Sequence, residues 1–230
     1  NNKKTLNVCA LGMSIGTPNA GIKAEVIEVA NFEELKKLGE EKIKGKIVFF
    51  NYPMKPELVY SGYGDAVRYR GSGPVEAAKL GAKAIVIRSL AIPEDDHPHT
   101  GSMHYEEEVE KIPAAALSTK DCEILSKAIK QGKVEFVFEM DCRNFPDATS
   151  YNVIAELTGS SKKNEIITFG GHLDSWDTGE GAHDDGAGCM QGIEVLRLYK
   201  QLGWKPKRTL RAVMWMNEEN GLRGGQEYAR

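Results

Sequence analysis

The stretch that decides the fold is EIITFGGHLDSWDTGEGAHDDGAGCMQGIEVLRLYKQLGWKPKRTLRAVMWMN, residues 165–217. It opens on a β-rich run, EIITFGG (165–171), and closes on another, KRTLRAVMWMN (207–217). Between them, DGAGCMQGIEVLRLYKQLG (185–203) repeats Ala187, Met190, Ile193, Leu196 and Tyr199 at helical spacing. Strand, helix and strand in that order predict one β-α-β unit, with parallel strands and a right-handed crossover. In open parallel sheets, ligands sit outside the carboxyl ends of the strands. His172 and Glu218 each fall just beyond such an end. Two segments far apart in sequence are thereby predicted to meet at one rim.

Working outward, YNVIAELTG (151–159) reads as a further strand, joined to 165–171 by a polar, lysine-bearing turn, and GLRGGQEYAR (221–230) begins another helix. Upstream, RNFPDATS (143–150) is a turn-rich hinge around Pro146. It predicts a boundary between one domain over 5–147 and a second over 148–230. The first alternates strands and helices. KAEVIEVA (23–30), GKIVFFN (45–51) and KAIVIRSL (83–90) read as strands, the second being a buried apolar run. NFEELKKLGEEKI (31–43) is a helix with Asn31 as its N-cap, and GPVEAAKLGA (73–82) a short helix closing on Gly81. IPAAALS (112–118) leads into the amphipathic helix KDCEILSKAIKQG, which ends at Gly132. KVEFVFEMD (133–141) alternates as a half-exposed strand does. The fold class is therefore α/β.

Composition narrows the function. Hydrophobic residues make up 41% of 230, enough for one sizeable core or two smaller ones. Thirty basic residues against thirty-three acidic leave a net charge of −3, with no general attraction to nucleic acid or anionic membrane. No apolar run approaches the roughly 18 residues of a membrane span. The opening NNKKTLNVCALGMSIGTP lacks the sustained apolar region of an intact signal peptide. Cys9, Cys122, Cys142 and Cys189 form no C-x-x-C pair, which argues against a cysteine zinc finger; they read as buried thiols, with a Cys122–Cys142 bridge left open.

Three candidate sites can be weighed. GEGAHD (179–184) and GSGPVE (71–76) each lack a third glycine, and no Gly-Lys-Ser/Thr loop occurs, so a phosphate cradle fails. EDDHPHTGSMHYEEE (94–108) holds His97, His99 and His104, but its prolines and acidic run read as a solvated loop. No G-x-S-x-G elbow supports a serine triad. The rim of the β-α-β unit is stronger. His172 offers an imidazole, and Asp174 a carboxylate two residues on that can orient the ring. Asp184 stands at the start of the crossover helix, where the dipole favours an anion. Glu218 and Glu219 follow the second strand, and adjacent extended residues point opposite ways, so one can bind metal while its neighbour addresses water. Imidazole plus carboxylates suits zinc, with manganese or cobalt as alternatives. Two ions roughly 3.5–4 Å apart, bridged by Asp184, would activate water and polarise a carbonyl. Glu218 would serve as general base.

GGHLDSWDTGEGAHDDGAG and MWMNEENG resemble the co-catalytic zinc aminopeptidases, and within them the plasma glutamate carboxypeptidase (carboxypeptidase Q) branch. ALGMSIGTP, GKIVFFN, GPVEAAKLGAKAIVIRS and PHTG look like the protease-associated (PA) domain that this branch carries. The resemblance implies a β-rich α/β PA domain followed by the first part of an α/β/α sandwich with parallel strands. It implies that His172 ligates one zinc, Asp184 bridges two, Glu219 ligates the other, Glu218 is the base and Asp174 supports His172. It implies a cis peptide at Asp184–Asp185, a small-peptide or dipeptide substrate, a secreted or periplasmic location, and room for a homodimer. An Asp and a His of the family's ligand set have no counterpart before Arg230, so the chain reads as a piece of a larger exopeptidase. Glutaminyl cyclases share the outline with a single zinc and acyl transfer. A peptide-binding PA module with an inert half-site is the non-enzymatic alternative.

Overall fold

The computed structural model describes residues 3–58 and 61–230. Two compact units divide the chain, one ending at Phe145 and the other running Pro146–Arg230.

The first unit contains β1 (Val8–Ala10), β2 (Ile22–Val29), α1 (Phe32–Ile43), β3 (Ile47–Phe50), α2 (Ser61–Gly71), α3 (Gly73–Ala78), β4 (Ala84–Arg88), β5 (Ala114–Leu117), α4 (Thr119–Gln131) and β6 (Glu135–Phe138). Its sheet runs β1-β5-β4-β3-β2-β6. The four inner strands are mutually parallel, and β1 and β6 close the edges antiparallel. Strand side chains alternate in direction, so a continuous apolar run supplies both faces at once. Val48, Phe50, Ile85 and Ile87 enter the cluster that includes Leu35, Ile43 and Ala77, whereas Ile47, Phe49, Ala84 and Val86 enter the one that includes Cys122 and Leu125. That is why IVFF is buried at every position.

Caps set the helix starts. Asn31 Oδ1 accepts from the Glu34 N–H (2.8 Å), and the Glu34 carboxylate accepts from the Ala30 N–H (2.7 Å). Ser118 Oγ accepts from the Asp121 N–H at 3.1 Å. The helix read over 31–43 breaks at Gly39, whose φ of 64° lies in the left-handed region. Three elements lack a clear sequence signal: β1, β5 with its run of small alanines, and α2, whose SGYGDAVRYRG carries glycines and little apolar periodicity.

The second unit contains β7 (Val153–Leu157), β8 (Lys162–His172), α5 (Ala187–Gln201), β9 (Arg208–Trp215) and α6 (Arg223–Tyr228). The sheet order is β7-β9-β8. β8 and β9 are parallel, which is the β-α-β pairing the sequence predicts. β7 and β8 follow one another in sequence, yet β9 lies between them, antiparallel to β7. α5 presents Cys189 and Gly192 to the sheet, with Leu196 partly covered, while Met190 is 62% exposed and Ile193 46%. Apolar residues are spread around this helix, so periodicity alone cannot choose the face; close approach at Gly192 does.

Among the described residues, no helix is long and apolar enough to cross a membrane. His97, His99 and His104 lie exposed on their loop. Cys122 is not bridged to Cys142. Its thiol lies buried in the sheet's second cluster, 3.9 Å from the Leu117 carbonyl oxygen. Burial, above all, pushes that thiol up to about 12. Since the thiolate is the reactive form, iodoacetamide at pH 8 should leave Cys122 unmodified in the native protein and alkylate it after unfolding in guanidinium. Peptide mass spectrometry reads both states, and ready native alkylation would contradict this packing.

Candidate metal centre

Parallel pairing sets Gly171 beside Met214 and His172 beside Trp215, so β8 and β9 end at one rim. The Leu173 N–H extends that pairing to the Trp215 carbonyl at 2.7 Å. Beyond Trp215 the chain reverses at Asn217, whose φ of 64° is a left-handed conformation that asparagine tolerates better than most side chains. Glu218 and Glu219 follow at once. From the other side, an irregular turn over 182–186 delivers Asp184, with Asp184 (φ −116°) and Asp185 (φ −132°) outside helical geometry. The Asp184–Asp185 peptide is cis, as the family resemblance implies.

His172, Asp184 and Glu219 each bring a ligand atom to within 4.8 Å of the others. His172 Nε2 lies 2.9 Å from Asp184 Oδ1 and 3.9 Å from Glu218 Oε2. Nδ1 of the same ring is 2.8 Å from the Asp174 main-chain carbonyl oxygen. That contact makes Nδ1 the donor, so Nε2 of a neutral ring points its lone pair at the carboxylates. Asp174 therefore steadies the ring through its backbone. Its carboxylate is 3.8 Å from Nδ1, too far for a hydrogen bond. Instead, Oδ1 accepts from the Glu218 N–H (3.0 Å) and Oδ2 from the Glu219 N–H (3.2 Å). The orienting contact expected of the Asp174 side chain is made by its carbonyl, because the carboxylate is already turned toward the end of β9.

Electrostatics match a site made for a cation. Burial disfavours a charged His172 ring, but the Asp174 carbonyl, the Asp184 carboxylate and the charge of Glu218 outweigh it and raise the pKa. Burial raises the pKa of Glu219, reinforced by the charges of Asp184 and Glu218 against a hydrogen bond from Trp176. Crowded carboxylates of this kind are relieved by a bound positive ion. One imidazole and two carboxylates converging on one point fit zinc. Asp184 is 75% exposed at its side chain, which leaves the rim open to solvent. Beside it an open cleft of about 300 Å³ is lined by His172, Asp185, Trp215, Glu218 and Leu222.

Asp177, Glu180 and His183 stay exposed on the loop. Trp176 and Asp185 are contributors that the residue pattern does not single out. For Asp185 a signal existed: an Asp three residues before an amide of a helix's first turn is a capping pattern. For Trp176 there was none.

The profile of peptidase family M28 matches residues 152–230. Over those residues the chain is similar to peptidase family M28. Carboxypeptidase Q of Xenopus laevis is 48% identical over 227 residues, covering 98% of this chain and 47% of that protein. A peptidase M28 precursor from Shewanella amazonensis SB2B superposes with a TM-score of 0.90 at 40% identity, over 97% of this chain and 51% of its own. A zinc aminopeptidase from Bacillus subtilis gives a TM-score of 0.63 at 26% identity, over 97% and 48%. The chain spans about half the length of the curated relatives it matches.

Proposed function

We propose that this chain supplies the PA domain and the first part of the catalytic domain of a zinc exopeptidase that hydrolyses small peptides or dipeptides outside the cytoplasm. The observation that carries the reading is the convergence of His172, Asp184 and Glu219 at the rim of two parallel strands, with Glu218 alongside. In this reading His172, Asp184 and Glu219 would hold zinc, His172 and Glu219 each toward one ion and Asp184 toward both, the complete coordination belonging to the full-length gene product. Bound zinc supplies Lewis acidity that makes water acidic near neutral pH and polarises a peptide carbonyl.

The protein's own groups handle the proton. Glu218 carries a half-exposed carboxylate 3.9 Å from His172 Nε2. It takes a proton from the attacking water as the C–O bond forms, and returns it to the nitrogen as the C–N bond breaks, so the amine leaves neutral. Its neighbour Glu219 is turned inward and hydrogen-bonded by Trp176. The two side chains thus divide ligation from proton transfer.

Exchanging Glu218→Gln in the full-length enzyme should retain zinc and lower kcat by about 10²–10⁴-fold, the usual range for a lost general base. Wild-type turnover in that variant would end the mechanism. His172→Ala and Glu219→Gln should each reduce zinc bound per chain, counted by elemental analysis after dialysis, and unchanged zinc content would remove these residues from the site. The same count separates the two enzyme classes. One zinc per chain together with cyclisation of an N-terminal glutamine peptide would favour an acyl transferase over a two-zinc peptidase.

A further inference from the structure

Asp185 directly follows a proposed ligand, yet its carboxylate turns away from the ligand cluster and into the protein. Oδ2 accepts the backbone N–H of His172 at 3.2 Å, and Oδ1 accepts the N–H of Gly188, in the first turn of α5, at 3.0 Å. The slot it occupies is made by two glycines. A Cβ on Gly171 would collide with Asp185 Oδ2 and come within 2.9 Å of the Cys189 nitrogen. A Cβ on Gly188 would collide with both carboxylate oxygens. Next to this bridge, the Cys189 thiol donates to the His172 carbonyl at 3.1 Å. Both backbone polar groups of His172 are therefore held by the start of α5, one through Asp185 and one through Cys189.

From this geometry we infer that Asp185 is a positioning residue: its carboxylate locks the turn carrying Asp184 onto the end of β8 and so sets the spacing between Asp184 and His172. The inference rests on the metal-site reading above. A two-oxygen acceptor is required because both partners are backbone donors, and neither can turn away from the slot. An amide in the same place offers one acceptor and directs its NH₂ group at the other N–H. Asp184 is exposed on its solvent side, so the bolt one residue along is what holds its backbone in register with the His172 ring. Asp174 makes the corresponding bridge to the amides of Glu218 and Glu219. The three proposed ligands come from three separate segments, and two non-ligating aspartates tie those segments together.

The test uses the full-length gene product, with zinc and cobalt(II) as probes. Asp185→Asn should keep its far-UV circular dichroism while zinc affinity falls by about 10–100-fold, as for other outer partners of metal ligands. The visible absorption bands of the cobalt(II) form should shift, because ligand spacing changes. At saturating zinc, kcat should fall while KM holds. A purely structural aspartate would lower the thermal midpoint and leave the cobalt spectrum alone. A folded Asp185→Asn variant with wild-type zinc affinity and cobalt spectrum overturns the inference. Should that variant not fold, Gly188→Ala decides, since its Cβ displaces an intact Asp185; it should reproduce the affinity loss and spectral shift, and wild-type behaviour would overturn the inference. Failure of both variants to fold would show that the slot serves the whole fold and not the site, which also overturns it. If the unaltered protein takes up no zinc, the metal-site reading itself fails; if it does and the variants match it, only the role of Asp185 falls.

Discussion

The arrangement of the second unit depends on the parallel pairing of β8 with β9, in the register that sets His172 beside Trp215. Parallel strands cannot be joined by a tight turn; their connection must cross back along the sheet, here through α5. Both strands then finish at the same end, and whatever follows each of them is delivered to one rim. β8 ends on His172 and the chain after it carries Asp174, the chain after β9 carries Glu218 and Glu219, and the crossover begins with Asp184 and Asp185. Slipping β9 by one residue would turn its inward side chains outward. It would also move Glu218 and Glu219 off the amide-accepting oxygens of Asp174.

A rim holding five carboxylate groups is an electrostatic difficulty, and the structure resolves it in two ways. Asp174 and Asp185 are each satisfied by two backbone N–H groups, Asp174 by the adjacent amides of Glu218 and Glu219, Asp185 by those of His172 and Gly188 in separate segments. Charge-assisted hydrogen bonds of this sort are stronger than neutral ones, so these two carboxylates gain partners and bind segments together in the same act. Asp184, Glu218 and Glu219 remain directed toward one another and toward His172. The pKa of Glu219 is raised, first by burial and then by its acidic neighbours, against the Trp176 hydrogen bond and the His172 ring. In the proposed reading a divalent cation would relieve that crowding. The same division separates residues that build the site from residues that face its contents, although all five side chains have the same functional group.

Much of this was legible from residue order, for identifiable reasons. GKIVFFN reads as a buried strand because four successive large apolar residues suit a strand covered on both faces. Asn31 announces a helix start because a short polar side chain can reach an amide two or three residues on. α2 and β5 were silent, since glycine and alanine carry almost no periodic signal and their burial is decided by what packs over them. Which face of α5 packs was not legible for a related reason: apolar residues occur around much of the helix, and only contact with the sheet selects Cys189 and Gly192.

Sequence by itself determined the β-α-β unit, because strand and helix periodicities are local properties, and it determined that His172, Asp184 and Glu219 fall at strand ends and a helix start. Tertiary structure decided everything that depends on distance between segments. It inserted β9 between β7 and β8, assigned the ring of His172 to the carbonyl of Asp174 and not to its carboxylate, and turned Asp185 inward between two glycines. Those outcomes follow from which backbone amides lie within reach of a carboxylate once the strands have paired. Aspartates with the same side chain became ligand candidate, brace or loop residue according to that reach alone.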